Sequence, residues 1–193
     1  AMLLLALAVS LEDPWKGTVG AAVALAAIAL TRGLLPAAAL MIASLIFVLS
    51  FGRHRVSRAI VFVAIAAGLF ASWPLAAHRA TPQAVLYFDA WWAWNARELH
   101  GPSISNVMWF VRNVGWYTWP LWPFALWTLY SWRSFWRRPH VLLPLLIAIA
   151  AIAALLIVAD PSDRELIAAV PALVVLGAFG VSTLRRAADN AID

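Results

Sequence analysis

The stretch 141–159 reads VLLPLLIAIAAIAALLIVA, nineteen residues drawn only from Val, Leu, Ile, Ala and Pro. As a helix it rises about 28 Å at 1.5 Å per residue, close to the thickness of a bilayer's hydrocarbon. A helix apolar on every face has no side to turn toward water, so this stretch belongs in a lipid bilayer or in the centre of a very large core. Working outward, four more uncharged runs of 19 or 20 residues appear at 33–52, 59–77, 113–132 and 166–184. Five such runs in 193 residues leave no room for a soluble domain around them. The whole composition agrees: 64% of the residues are hydrophobic and 12% charged, where soluble domains run nearer one half and one quarter. A β-barrel is excluded, because barrel strands alternate apolar and polar residues over about ten positions. The expected fold is an all-α, polytopic transmembrane bundle in one domain spanning 1–193. Two short hairpin helices come first and about four full spanning helices come after them, with one amphipathic helix in an outer loop.

The charges set an orientation. Arg53, Arg55 and Arg58 form one basic cluster, Arg133, Arg137 and Arg138 a second, and Arg185 and Arg186 a third. If each run crosses once, all three fall on one side. The positive-inside rule makes the loops 52–58, 132–140 and 185–193 cytoplasmic. A net charge of +5 would point a soluble protein toward nucleic acid. Here the basic residues sit at segment ends, where they anchor topology and touch headgroups, so membrane lipids are the expected partners and nucleic acid is not. With no Cys, disulfides and thiolate metal sites are ruled out. The eleven apolar residues before Glu12 and Asp13 are too short to span and lack the basic start of a signal peptide. They read as the tail of a helix whose beginning is missing, or as a cloning scar before a start at Met2.

Walking back from Arg53, the run 33–52 begins on the outer side, and the run 17–31 before it is short. Only Thr31-Arg32-Gly33 joins them, with Pro36 close by, which predicts a tight helical hairpin whose corner stops at or below the outer interface. A charge at that depth is tolerated where it lines a protein cavity or snorkels to headgroups, and both readings of Arg32 stand. Ten of the twelve Trp lie between Trp91 and Trp136. In Trp116-Tyr117-Thr118-Trp119-Pro120-Leu121-Trp122-Pro123 three of them share roughly one helix face. They form an interfacial belt or line a path for a sugar or a polyprenyl chain. Pro120 and Pro123 remove backbone donors, so this run is kinked or starts late. The outer loop, 79–107, carries an amphipathic helical pattern over 87–102 with Gly101-Pro102 as its stop, suited to lying on the outer leaflet.

Few constellations carry chemistry. His54, His78, His100 and His140 are far apart and pair with no ligand at helical spacing. Phosphate loops, nucleophile elbows and zinc-protease motifs are absent from the sequence. No metal site is expected. The spanning runs hold no carboxylate, which argues against an ion-coupled transporter. The notable charges are all on the outer side: Arg32, Asp89, Arg97, Glu98, Arg112, Arg164 and Glu165. Arg suits a lipid phosphate, since its planar fork gives paired hydrogen bonds and keeps its proton. Arg112 is either such a partner or a snorkelling anchor. The outer carboxylates could hold a divalent cation or act as a base, though their spacing demands neither.

Three stretches resemble the membrane half of polyprenyl-phosphate-sugar-dependent glycosyltransferases, the family 39 type that includes protein O-mannosyltransferases and aminoarabinose transferases of lipid A. Ala29-Leu30-Thr31-Arg32-Gly33-Leu34-Leu35-Pro36 is similar to the family's L-T-K-G-P turn between two short helices. Tyr117-Thr118-Trp119-Pro120-Leu121-Trp122-Pro123 is similar to the aromatic, Pro-rich start of a late helix. Ser162-Asp163-Arg164-Glu165, leading to Pro171-Ala172-Leu173, is similar to an S-x-R-x-x-Y turn before a final Pro-containing helix. Arg32 replaces the commoner Lys, and Ile167 stands where the family has Tyr. The family's catalytic carboxylate lies in a first outer loop that no part of this sequence matches. The resemblance therefore implies a C-terminal portion that does not catalyse alone.

What the resemblance implies is sugar transfer from a polyprenyl-phosphate donor to a lipid or protein acceptor, on the periplasmic side of a bacterial inner membrane. Arg32 and Arg164 would face the lipid phosphate, with Arg112 beside them if it is a partner and not an anchor. Tyr87, Asp89, Arg97, Glu98 and His100, in the outer loop, would contact substrate. No cofactor is expected in this chain, with room for a divalent metal in a full-length protein. Two other classes remain open. A transporter of a lipid-linked sugar predicts polar residues well inside the runs. A non-catalytic assembly subunit predicts that outer-face Arg substitutions are harmless while loop swaps are not.

Overall fold

A computed structural model describes residues 1–52 and 54–192, and the side chains of these residues apart from Pro82, Arg164 and 184–192. Among the described residues the chain is helical throughout, with turns and no strand. Four helices are long and apolar enough to cross a membrane, the pattern of a multi-pass membrane protein.

The chain opens with α1 (Met2–Val9), whose Leu3 and Leu7 lie one turn apart and are both buried in the bundle core. Asp13 then caps α2 (Pro14–Arg32), its Oδ1 accepting the Lys16 N–H at 3.1 Å, with Pro14 at the first helical position. That start signal makes α2 nineteen residues long, longer than the short segment its apolar run alone suggests, and long enough to span. The α1–α2 turn closes tightly because Gly17 has no Cβ; one placed there would run into the Ser10 backbone.

Gly33 ends α2 and starts α3 (Leu34–Ser50) with φ of +95°, a conformation that L side chains rarely adopt. The corner expected from Thr31-Arg32-Gly33 is therefore a glycine corner. Small residues recur among the buried positions of both helices, Ala21, Ala22 and Ala29 on α2 and Ala37 and Ala43 on α3, and such residues let backbones approach closely.

Next come α4 (Arg55–Ala80), α5 (Pro82–Glu98) and α6 (Ile104–Tyr117), then α7 (Leu121–Ser131), a single 3-10 turn at Arg133–Phe135, α8 (Pro139–Ile157) and α9 (Asp163–Ile192). Their packing orders the bundle as α4–α2–α3–α8–α9–α7, with α1 wedged on α2 and α8. The core runs through α1, α2, α3, α4 and α8, where Phe47, Phe62 and Ile147 fill the space between the alanines.

Besides the length of α2, two sequence expectations change. The run 113–132 does not cross as one helix: α6 ends at Tyr117 and α7 begins at Leu121 with only 11 residues. Pro120 supplies no backbone donor and biases the residue before it away from helix, so the ladder stops there. Arg58 is no solvated anchor. Only 2% of it is exposed, and its Nε donates to Thr18 Oγ1 at 3.0 Å while NH1 donates to the Phe51 carbonyl at 3.3 Å. Gly52, at φ of +90°, makes room for that guanidinium, since a Cβ there would sit 2.6 Å from NH1. Arg53 and the side chains of Arg185 and Arg186 lie outside the described residues.

Candidate functional site

Three separate parts of the chain converge at the Gly33 end of the bundle. The first is the α2–α3 corner. The second is the C-terminal end of α5, pinned there by Asn95: its Oδ1 accepts the Leu34 N–H at 2.6 Å and its Nδ2 donates to the Trp91 carbonyl at 2.9 Å. A helix's first N–H groups have no partner within the helix, so a side-chain oxygen from elsewhere serves as the cap that Gly33 cannot supply. The third is the turn from α8 into α9.

That third part is stitched to the loop after α5. The Ala159 N–H donates to the Glu98 carbonyl at 3.0 Å and the His100 N–H to the Ile157 carbonyl at 3.1 Å. Asn106, on α6, donates from Nδ2 to the carbonyls of Leu156 (3.1 Å) and Val158 (2.7 Å), taking up orphan acceptors at the end of α8. Glu165 then reaches back to Ser162 at the start of α9, the carboxylate half of a capping box. One Glu165 oxygen accepts the Ser162 N–H at 2.9 Å and the Ser162 hydroxyl.

These parts enclose a cavity of ≈ 580 Å³. Its depth is apolar, walled by Leu40, Ile147, Ala151, Ala154 and Pro171 among others, and its rim carries Arg32, Trp94, Glu98, Asp160, Ser162 and Glu165. Among the described residues Arg32 forms no ion pair, so its donors are free for an anion. Glu165 is already engaged in the cap, which leaves Glu98 and Asp160 as rim carboxylates able to accept from a ligand. An apolar chamber with a polar, charged rim fits an amphiphile, a long hydrocarbon chain below and a polar head above.

The residues singled out from the sequence divide accordingly. Arg32 and Glu98 reach the cavity. Arg164 occupies the first turn of α9, but its side chain lies outside the described residues. Arg112 is exposed on α6, away from the lining. Tyr87, Asp89, Arg97 and His100 are exposed and line nothing here. On α5 it is Trp94, Asn95 and Glu98 that face the cavity, because helical geometry puts i and i+4 on one side. Two contributions were not drawn from the sequence: the capping contact between Ser162 and Glu165, residues already singled out there, and Asn95. The Ser162–Glu165 contact was legible as S-x-x-E before an apolar run; Asn95 had no signal, since its partner is far off in sequence. Among the described residues no three His, Asp or Glu side chains gather as a metal-binding group. Compared with known families, curated proteins and solved structures, the chain matches none.

Proposed function

We propose that this chain is the membrane portion of a glycosyltransferase that takes its sugar from a polyprenyl-phosphate donor, and that the cavity at the Gly33 end holds that donor. One observation carries the reading. The Arg32 corner, the outer-loop helix and the Ser162–Glu165 turn, three places far apart in sequence, line one amphiphilic chamber.

In this reading the apolar depth takes the first isoprene units, which have no better environment than lipid or a dry protein wall. Arg32 pairs with the phosphate, its fork of donors matching the phosphate oxygens and offsetting the charge that a leaving lipid phosphate retains. The Trp94 ring offers a flat apolar face to the sugar, and Glu98 and Asp160 accept from its hydroxyls. With the basic loops 52–58 and 132–140 in the cytoplasm by the positive-inside rule, the cavity opens on the periplasmic side of an inner membrane.

The test is donor binding by the full chain in phosphatidylcholine nanodiscs, followed by displacement of a fluorescent polyprenyl phosphate by a polyprenyl-phosphate hexose. Arg32→Ala is expected to weaken binding about tenfold or more, the loss of a charge-assisted contact, and Arg32→Lys to restore part of it. Unchanged affinity in the Arg32→Ala, Arg164→Ala double variant would overturn the proposal.

A further inference from the structure

A second cavity, of ≈ 430 Å³, lies at the other end of the same two helices and is lined by Ser131, Trp132, Phe135, Arg138, His140 and Thr183. From the second cavity α8 runs nineteen residues to the rim of the first, whose apolar depth reaches back along it to Ile147, and α9 covers nineteen between Glu165 on that rim and Thr183. At 1.5 Å per residue each path is about 28 Å, the thickness of the hydrocarbon. If the rim of the first cavity sits at one headgroup layer, the second cavity sits at the opposite layer.

The two ends differ in charge. The first cavity has three carboxylates on its rim; the sequence from Leu99 to Ala159 contains no Asp or Glu at all. Arg138 and His140 therefore face the second cavity without a described carboxylate beside them, and the Ser131 and Thr183 hydroxyls stand on either side. The aromatic walls are built rather than incidental. The Trp132 ring meets His140 edge-on at 5.4 Å and Phe179 at 5.9 Å, and His140 packs on Phe179 at 5.7 Å. This places α7, α8 and α9 around one aromatic floor, with donors above it. Arg133, in the same cluster, is turned aside over the Tyr130 ring at 4.9 Å, and among the described residues Arg138 is the guanidinium that lines the cavity.

We propose that this second cavity is a binding site for the phosphate headgroup of an anionic phospholipid, of the phosphatidylglycerol type. Arg138 and His140 donate to the phosphate, Ser131 and Thr183 hydrogen-bond to the glycerol hydroxyls, and the Trp132 and Phe135 rings cover the start of the acyl chains. An amphiphile is favoured over a soluble anion because Trp132, Phe135 and His140 make half of the lining aromatic and the site lies at headgroup depth. This site is independent of the donor cavity and does not rest on the reading given for it.

Native mass spectrometry of the full chain tests the proposal directly, with phosphatidylglycerol titrated against phosphatidylcholine and, in separate arms, against glycerol 3-phosphate and inorganic phosphate. One tightly held phosphatidylglycerol is expected. Arg138→Gln is expected to weaken it about five- to tenfold, Arg138→Lys to retain most of it, and Arg55→Gln, a cation at the same end but outside the cavity, to leave it unchanged. Circular dichroism of each variant verifies the helical fold. The proposal falls if Arg55→Gln costs as much as Arg138→Gln, since the attraction would then be diffuse. It also falls if the soluble phosphates compete as well as the lipid, or if Arg138→Gln has no effect.

Discussion

Asn95 Oδ1 accepts the Leu34 N–H at 2.6 Å across 61 residues of sequence, and through that bond α5 hangs from the corner of the α2–α3 hairpin. The bond works only because Gly33 is bare. A Cβ there would lie 2.8 Å from the same Asn95 oxygen and 3.0 Å from the Trp94 ring.

Gly33→Ala is therefore expected to combine backbone strain with a clash and to cost about 1–3 kcal/mol. Asn95→Leu, which only leaves the Leu34 donor unmatched, costs about 1–2 kcal/mol. In both variants hydrogen exchange should rise in α5 before the core helices. Exchange unchanged over residues 82–98 would show that α5 is held by something else.

Thr18 is the hinge of a second long-range contact, donating to the Pro14 carbonyl at 2.6 Å while accepting from Arg58 Nε. Thr18→Val leaves a buried guanidinium short of an acceptor and is expected to cost about 1–3 kcal/mol. Replacing both partners, Thr18→Val with Arg58→Met, should recover part of that loss, because no unmatched charge remains. Unfolding titrations of the two variants check this. A double variant less stable than Thr18→Val alone would contradict it.

Two helix glycines should answer oppositely to the same change. At Gly180 a Cβ would collide with the Phe124 carbonyl oxygen and sit 2.8 Å from Thr128 Oγ1. Thr128 itself donates to the Leu176 carbonyl at 2.6 Å. Gly180→Ala should push α7 from α9 and destabilise by about 1–3 kcal/mol. Gly68 has nothing within 4 Å of that position, so Gly68→Ala should be neutral or gain up to about 1 kcal/mol in helix propensity. Equal melting temperatures for the two variants would refute the packing argument.

The Tyr117 hydroxyl donates to Asp163 Oδ2 at 2.5 Å, joining the end of α6 to the start of α9. That hydrogen bond, helped by the negative charge of the carboxylate, holds the phenol above its ordinary pKa. A group whose pKa is raised on folding binds its proton more tightly when folded. Its contribution is whole below the ordinary value of about 10 and is lost as pH climbs through and past it. Melts taken from neutral to strongly alkaline pH should therefore show a loss that Tyr117→Phe flattens. Identical slopes in the two proteins would remove the link.

How much of this could be read from the chain varies residue by residue. The spanning helices were legible because uncharged runs of 19 residues have few other folds open to them. The Gly33 corner was legible too, from a charge and a glycine between two apolar runs. The division of 113–132 was visible only as two prolines, whose effect depends on whether neighbouring elements hold the ladder together. Along α5 the charged residues drew notice, yet Asp89 and Arg97 point to the surface while Trp94, Asn95 and Glu98 reach the cavity. Amphipathic pattern marks that a helix has two faces without telling which neighbour each will meet.

The sequence by itself determined that this protein is a bundle of membrane-spanning helices, because hydrocarbon demands long apolar stretches whose backbone groups are satisfied within each helix. It also determined the corner between two of those helices at Gly33. Only the tertiary structure decided that Arg32, Glu98 and Asp160 share one rim, and that Arg58 is swallowed between Thr18 and Phe51 while Arg138 stands over an open cavity. The reason is physical: apolar periodicity is a local property of the chain. The meeting of residues sixty positions apart depends on which small side chains let which helices approach.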